Sequence, residues 1–219
     1  MAIMGEMGID GIEIEASPAA VWVWGCAPLR VLSSALVGGE LDASRHILNM
    51  HVENGYKAES PARDLIAFAR RLGIAGPFVG VMTAAPTHEA AVVTERLDGV
   101  TVTAVVTVGL GTPIAAGRSP VAPWRPSTIN TIVLVDGVLE RAAGVNAVIT
   151  ATEAKTVALA EAGIQTPEGL SATGTATDAV VVAWTGRGPA LAYLGPATLG
   201  GWLIGRTVHR AVARGLGRP

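Results

Sequence analysis

The stretch that decides the fold is Val100–Val108, which reads Val-Thr-Val-Thr-Ala-Val-Val-Thr-Val. Successive side chains of a β-strand point to opposite faces, so one face of this stretch carries four valines and an alanine. The other face carries three threonines and Val105. Because β-branched side chains favour an extended backbone, the pattern predicts a strand over the whole stretch.

Further strands are predicted on both sides of this stretch. Ile-Glu-Ile-Glu at 12–15 alternates apolar and charged residues, as a half-buried strand does, and Ser17-Pro18 supplies a turn after it. The other runs with the length and composition of strands are 21–24, 29–32, 78–83, 129–135 and 177–184. Glycine and proline residues predict a loop over 109–128.

Three segments carry the three-to-four-residue spacing that is typical of a helix. Ser60 and Pro61 suit a helix cap and first turn, and Gly73 ends that segment. Asp136 suits the N-cap of a long helix that runs to about residue 162. A final helix is predicted over about 197–214.

The order of these elements predicts an α+β fold. Hairpin-like pairs of strands stand next to each other, whereas a doubly wound parallel sheet needs regular alternation of strands and helices. No linker rich in serine, proline or charge divides the 219 residues. We therefore predict a single domain over 1–219, with a mixed or antiparallel sheet packed against helices.

Composition excludes several classes of protein. Half of the residues are apolar and 16% are charged, which excludes a disordered chain, and the formal charge of −2 leaves no basic excess for nucleic acid. The single cysteine, Cys26, excludes a disulfide scaffold. The uncharged segment 188–205 contains prolines and glycines that do not suit a membrane span, and no signal peptide is recognisable. A cytoplasmic protein without membrane or nucleic-acid partners is expected, and a homo-oligomer stays open.

Familiar catalytic and nucleotide-binding motifs are absent from the sequence. It contains no GxxxxGK[ST] loop, no GxGxxG after a strand, no GxSxG elbow and no HExxH. Neither nucleotide hydrolysis nor dinucleotide redox chemistry has support. Candidate sites must therefore come from polar residues in positions where apolar residues are expected.

The long helix contains one such concentration of polar residues. The stripe at helical spacing consists of Leu139, Ala142, Asn146, Thr150, Glu153 and Val157. We expect this stripe to face the core, with Glu153 as a desolvated carboxylate that suits general-base work, and Lys155 to face solvent. A structural hydrogen-bond network is the alternative interpretation.

Two further concentrations lie outside this helix. In an extended segment Asn49, His51 and Glu53 share a face, where histidine and carboxylate could act as general base or metal ligands; a solvated loop is the alternative. The run 173–178, Thr-Gly-Thr-Ala-Thr-Asp, can offer backbone N–H groups and the Asp178 carboxylate at a sheet edge. A hydroxyl-rich turn explains that run equally well.

Several motifs occur in an order that resembles a known family. They are Leu32-Ser33-Ser34-Ala35, Gly38-Gly39, His46-Ile47-Leu48-Asn49, Gly80-Val81-Met82-Thr83-Ala84-Ala85, Gly109-Leu110-Gly111-Thr112-Pro113, Thr128-Ile129-Asn130-Thr131-Ile132, 146–155 and 172–178. Together they resemble the CbiZ-type adenosylcobinamide amidohydrolases of corrinoid salvage over about residues 29–210. The resemblance implies hydrolysis of the amide that joins aminopropanol to a corrin propionyl side chain, giving adenosylcobyric acid and 1-amino-2-propanol. The segment around His51 departs from the family pattern, which weakens a catalytic role for that histidine.

These motifs coincide with the polar concentrations and suggest a set of site residues. Amide hydrolysis needs a base, donors for the oxyanion and an acid for the leaving amine. The carboxylates available are Glu153, Glu53 and Asp178. The expected substrate-binding residues are Ser33, Ser34, Asn49, His51, Tyr56, Asn130, Asn146, Thr150, Thr173 and Thr175. The corrinoid substrate brings its own cobalt, so no cofactor or metal from the protein is expected.

Two other functions stay open at this point. One is a corrinoid-binding module without turnover, which needs only an apolar cleft. The other is an amidase that uses a threonine or serine nucleophile, exposed in one version by self-cleavage.

Overall fold

A large mixed β-sheet and three α-helices form the part of the chain that this computed structural model describes, residues 8–121 and 128–217. The longer strands are β1 (Ile12–Ala16), β2 (Ala20–Ser33), β3 (Ala43–His51), β4 (Val79–Thr83), β5 (Ala91–Leu97), β6 (Val100–Val108), β8 (Ile129–Asp136) and β11 (Ala179–Trp184). The short ones are β7 (Pro113–Ile114), β9 (Val138–Leu139), β10 (Gly174–Thr175) and β12 (Ala190–Leu191). The helices are α1 (Pro61–Arg71), α2 (Arg141–Glu161) and α3 (Leu199–Gly215). The α+β prediction is confirmed.

The eight longer strands form one sheet. Its order is β4-β3-β2-β11-β8-β6-β5, with β1 paired to β2 off this path. The pairs β3/β4 and β8/β11 are parallel, and the other neighbours are antiparallel. The sheet is therefore mixed, as the sequence predicted. Two short pairs, β7 with β10 and β9 with β12, lie outside it.

Strand β2 divides the sheet into two halves that pack face to face. Its 14 residues pair with β1 in the first part and with β11 in the last part, and the register against β3 shifts between Trp24 and Leu29. One apolar cluster contains Val21, Ile47, Val79 and Val81 from one half together with Val105, Ile132, Leu134 and Val181 from the other. Strands β3 and β6 are not neighbours in the sheet, yet Asn49 and Thr107 are hydrogen-bonded to each other at 3.0 Å, so the two halves lie face to face as two β-layers.

Helices cover the outer faces of both β-layers. Leu159 of α2 and Leu203 of α3 pack with Val102 and Val133 on the β6/β8 side. Leu65 of α1 packs on the β3/β4 side. The described chain thus has a helix–sheet–sheet–helix arrangement, and the space between the two β-layers opens where polar side chains replace the apolar core.

The structure corrects three element predictions. Ala43–His51 and Ala91–Leu97 are strands that the sequence did not predict, because polar residues interrupt their apolar pattern. Asp136 does not cap α2: it ends β8, the chain then forms β9, and Glu140 is the N-cap. The uncharged segment 188–205 contains β12 and the first turns of α3, and no described helix is long and apolar enough to cross a membrane.

The close packing of Gly201 in the first turn of α3 can be tested by substitution. A Cβ atom on Gly201 would lie 2.0 Å from the backbone oxygen of Gly195, whereas a Cβ on Gly205 would meet nothing nearer than Thr150, at 3.7 Å. Gly201→Ala should therefore lower the free energy of unfolding by about 1–3 kcal/mol. Gly205→Ala, the matched control, should leave it unchanged or raise it by up to about 1 kcal/mol. Denaturant unfolding of both variants checks this, and equal stabilities would contradict the described packing.

Candidate active site

A cavity of about 460 Å³ opens where the ends of β3 and β4 meet the starts of β8 and β11. Its apolar wall includes Leu36, Val52 and Val81. Its polar side is formed by Ser34, Thr83, Thr128, Asn130 and Asp178. An apolar cleft with a few convergent polar groups is the usual form of a small-molecule site.

Two buried amides form the polar floor of this cavity. Asn130 and Asn49 are each 2% exposed, and the Asn130 amide nitrogen donates to Asn49 Oδ1 at 2.9 Å and to the backbone oxygen of Met82 at 2.8 Å. Asn49 in turn donates to Thr107 Oγ1 at 3.0 Å. Because both N–H groups of Asn130 are engaged, its side-chain oxygen is directed towards Thr128, whose hydroxyl lies 3.2 Å away. These bonds join side chains of both β-layers at one point.

Thr128 lies immediately before β8 and is 3% exposed. Its hydroxyl donates to the backbone oxygen of Thr177 at 2.7 Å, and Asn130 Oδ1, at 3.2 Å, is the alternative acceptor for the same proton. The hydroxyl is thus held at the cavity floor in a fixed direction. Sequence reasoning did not select Thr128 as a site residue, although it begins the Thr-Ile-Asn motif.

Asp178 accepts hydrogen bonds from three elements that meet beside the cavity. Its carboxylate accepts from the backbone N of Ile129 at 2.9 Å, from the backbone N of Thr175 at 3.1 Å and from the Thr175 hydroxyl at 2.5 Å. It also forms an ion pair with Lys155 of α2. The side chains of Lys155 and Asp178 are only 8% and 13% exposed, so this pair is largely removed from water.

Gly174 makes room for this buried pair. A Cβ atom at this position would lie 2.3 Å from Asp178 Oδ2 and 2.7 Å from Lys155 Nζ. Any larger residue would displace the charged groups. The glycine in the 173–178 run therefore serves close packing around the ion pair.

The structure brings some of the predicted site residues to the cavity. Ser34, Tyr56, Asn130 and Asp178 line it. Ser34 is fixed by Val180, whose backbone N donates to its hydroxyl at 3.1 Å. The Tyr56 hydroxyl donates to Asp64 at 2.5 Å; burial first, and then this carboxylate, raise the pKa of Tyr56 to about 12. Tyr56 therefore stays protonated at neutral pH.

Other predicted residues lie close to the cavity without lining it. Asn49 and Thr175 are buried in the networks described above. The Thr173 hydroxyl accepts from the backbone N of Ala116 at 3.0 Å, next to the β7/β10 pair. Ser33 is half-buried, and its hydroxyl accepts weakly from the backbone N of Ala35 at 3.4 Å.

His51 and Glu53 lie in a separate hollow that shares Val52 and Tyr56 with the cavity. His51 Nδ1 is 3.0 Å from the backbone oxygen of Ala85, so this nitrogen is the donor. Glu53 is exposed. Among the described residues, no group of three His, Cys, Asp or Glu could hold a metal ion.

The predicted orientation of the long helix, α2, is wrong. Glu153 is exposed, and it lines a shallow groove between α2 and α3 together with Thr150, away from Asn130 and Asp178. Asn146 is half-buried and lines neither the cavity nor the groove. Thr150 is buried, and its hydroxyl donates to the backbone oxygen of Leu194 at 2.8 Å. The buried residues of α2 are instead Ala143, Gly144, Ala147, Thr150, Ala151, Lys155, Ala158 and Leu159.

The physical reason is side-chain size. The distance between packed helices depends on the side chains at the contact, and α2 places mainly small residues inside. The larger Val145, Ile149 and Val157 face out. A pattern that assigns the larger apolar residues to the core therefore selects the wrong side of this helix, and Lys155 rather than Glu153 is the buried charge.

Comparison with known proteins gives a family and a fold. A family model described as CbiZ: Adenosylcobinamide amidohydrolase matches residues 8–219, which confirms the resemblance seen in the motifs. No curated protein shows significant similarity to the chain. The PH0078 protein from Pyrococcus horikoshii OT3 has a similar fold, with a TM-score of 0.56 and 12% identity over 100% of this chain and 83% of its own. A beta-aminopeptidase from Burkholderia sp. has a TM-score of 0.51 and 16% identity over 96% of this chain and 81% of its own.

Removing one charge of the Lys155–Asp178 pair should strongly lower the stability of the fold. Lys155→Met removes the positive charge and leaves the Asp178 carboxylate buried, so we expect a loss of roughly 3–5 kcal/mol in the free energy of unfolding. Lys57 is the other lysine of the sequence and is exposed. Lys57→Met is thus the matched control and should change stability by no more than about 0.5 kcal/mol. Chemical denaturation of both variants measures the difference; equal stabilities would mean that the pair is solvated.

Proposed function

The chain belongs to the CbiZ family of adenosylcobinamide amidohydrolases, and we propose that it cleaves the amide joining aminopropanol to a propionyl side chain of adenosylcobinamide. The family makes it a hydrolase that acts on amide bonds. The proposed products are adenosylcobyric acid and 1-amino-2-propanol. The observation that carries the proposal is a cavity in which a fixed hydroxyl, a fixed amide and a carboxylate come together, at Thr128, Asn130 and Asp178.

The size of the cavity supports one mode of substrate binding. Clefts of about 300–1,000 Å³ enclose a drug-sized ligand, and an adenosylated corrinoid is several times larger than that. A cavity of about 460 Å³ therefore accepts the side chain with the scissile amide but not the macrocycle. The ring would lie across the mouth, against exposed Leu36 and the half-buried Tyr56 and Pro61.

Thr128 is the proposed nucleophile. Its hydroxyl oxygen attacks the amide carbonyl carbon, the C–N bond breaks, and 1-amino-2-propanol leaves while the corrin side chain becomes an ester of Thr128. Water then hydrolyses this ester and releases the carboxylic acid. The backbone oxygen of Thr177 and the oriented Oδ1 of Asn130 support this role, because these two acceptors hold the Thr128 hydroxyl at the cavity floor.

Asp178 is the proposed group for proton transfer. It is the only carboxylate among the described residues that line the cavity. It would take the proton of the Thr128 hydroxyl and deliver it to the leaving nitrogen, as a general base and then a general acid. Lys155 and the backbone N of Ile129 hold this carboxylate in place. The fold shared with a protein named as a beta-aminopeptidase is compatible with amide hydrolysis at such a site.

The assignment of roles is tested by turnover of adenosylcobinamide without ATP. Thr128→Ala should lower turnover by at least about 100-fold, because the nucleophile is lost. Asp178→Asn should do the same through loss of proton transfer; because it also breaks the pair with Lys155, its turnover is compared with its folding and corrinoid affinity in the same preparation. Thr128→Ser keeps the hydroxyl and should stay within about tenfold of the unaltered protein. Glu153→Gln alters an exposed carboxylate outside the cavity and should leave turnover unchanged.

Three other outcomes would change this assignment of roles. Near-normal turnover by Thr128→Ala would show that an activated water, and not the Thr128 hydroxyl, is the nucleophile. Loss of turnover in Glu153→Gln, with folding and corrinoid affinity intact, would return the base role to Glu153. Tight corrinoid binding by the unaltered protein without release of aminopropanol would leave a binding module and overturn the enzymatic proposal.

The state of the chain during turnover is a separate test. With Asp178 as the base, Thr128 can act inside an uncut chain, so the active protein should have the mass of the whole 22.3 kDa chain. Mass spectrometry of the active preparation measures this. A chain cut directly before Thr128 would instead assign the base role to the newly freed amino group of that threonine.

A further inference from the structure

The outward side of the α2–α3 layer is unusually apolar. Val145, Ile149 and Val157 of α2 are 47%, 49% and 49% exposed, and Trp202 of α3 is 46% exposed. Val145, Ile149, Glu153 and Val157 follow one another at intervals of four residues, so they form a continuous row along the helix, here called the outer row. A groove of about 450 Å³ runs between this row and α3.

A helix at the surface of a globular protein usually has one apolar and one polar face. The inner face of α2 is already buried against the sheet and α3, through Ala143, Ala147, Ala151 and Leu159. The outer row adds a second apolar face to the same helix. Helices that are apolar on all sides are normally buried, which indicates that another surface covers the outer row.

The charges on this layer are complementary to a second copy of the same surface. Glu153 lies within the outer row and forms no hydrogen bond or ion pair with any described residue. On α3, Arg206 and Arg210 share a single carboxylate, Glu95, so that cluster keeps a positive excess. Arg206 and Glu153 line the same groove.

We propose that a second copy of this chain packs against the α2–α3 layer, with the two α2 helices antiparallel about a twofold axis. A twofold interface uses the same patch on both subunits, so the Glu153 of each copy meets the basic cluster of the other. The 21 residues of α2 extend over about 32 Å. Two helices side by side give a face of roughly 600 Å², which is comparable to the ~800 Å² per partner of a standard interface.

Light scattering or sedimentation of the purified chain tests this proposal. The unaltered protein should have twice the mass of the 22.3 kDa chain at micromolar concentrations. Ile149→Lys places a charge in the centre of the outer row and should raise the dissociation constant of the dimer by at least about thirtyfold. Leu72→Lys, at a 37% exposed position that ends α1 on the opposite layer, is the matched control and should leave the dimer intact.

A second variant separates loss of the interface from loss of folding. Glu153→Lys changes an exposed side chain, so the fold should survive, and the reversed charge should weaken the dimer. A monomeric unaltered chain would overturn the proposal. So would a dimer whose dissociation constant is the same in Ile149→Lys, Glu153→Lys and Leu72→Lys, because its interface would then lie elsewhere.

Discussion

The buried ion pair between Lys155 and Asp178 is the interaction on which the candidate site depends. It joins α2 to the start of β11, and through the backbone N of Ile129 it fixes the start of β8. A buried pair of charges is costly unless its remaining hydrogen-bonding groups are satisfied. Thr175 supplies two of the donors to Asp178, and Gly174 leaves space for the two charged groups. The position of Thr128 at the cavity floor follows from these contacts.

The second constraint is the replacement of apolar core by amides at one end of the two β-layers. Over most of their area the layers are joined by valine, isoleucine and leucine side chains. At the cavity, Asn49 and Asn130 join the layers through hydrogen bonds instead. Buried amides must be fully bonded, so each has a single orientation. A fixed array of polar groups beside an open space is what preorganised catalysis requires.

The sequence predicted those parts of the fold in which side-chain pattern and environment agree. Val100–Val108 and the segment leading to Asp136 are buried strands with β-branched residues, and both were recognised. Asp178 and Asn130 were both selected as site residues, and the structure places them in the lining of one cavity. The buried face of α2 was predicted wrongly because it consists mainly of small residues, and only the packing against the sheet explains why these residues face inwards. Thr128 was missed although it begins a recognised motif, because it ends a predicted loop and only the folded chain brings it into one cavity with Asn130 and Asp178.

The central claim is that the scissile amide lies beside Thr128, with the corrin ring outside the cavity. A crystal structure of the Thr128→Val variant with bound adenosylcobinamide tests it most directly, because loss of the proposed nucleophile should preserve the uncleaved substrate while the Lys155–Asp178 pair stays intact. We expect the amide carbonyl carbon within about 4 Å of the methyl group that replaces Thr128 Oγ1, close to the separation of reacting atoms in a near-attack geometry. A corrinoid whose aminopropanol amide lies in the hollow beside His51, or in the groove beside Glu153, would contradict it.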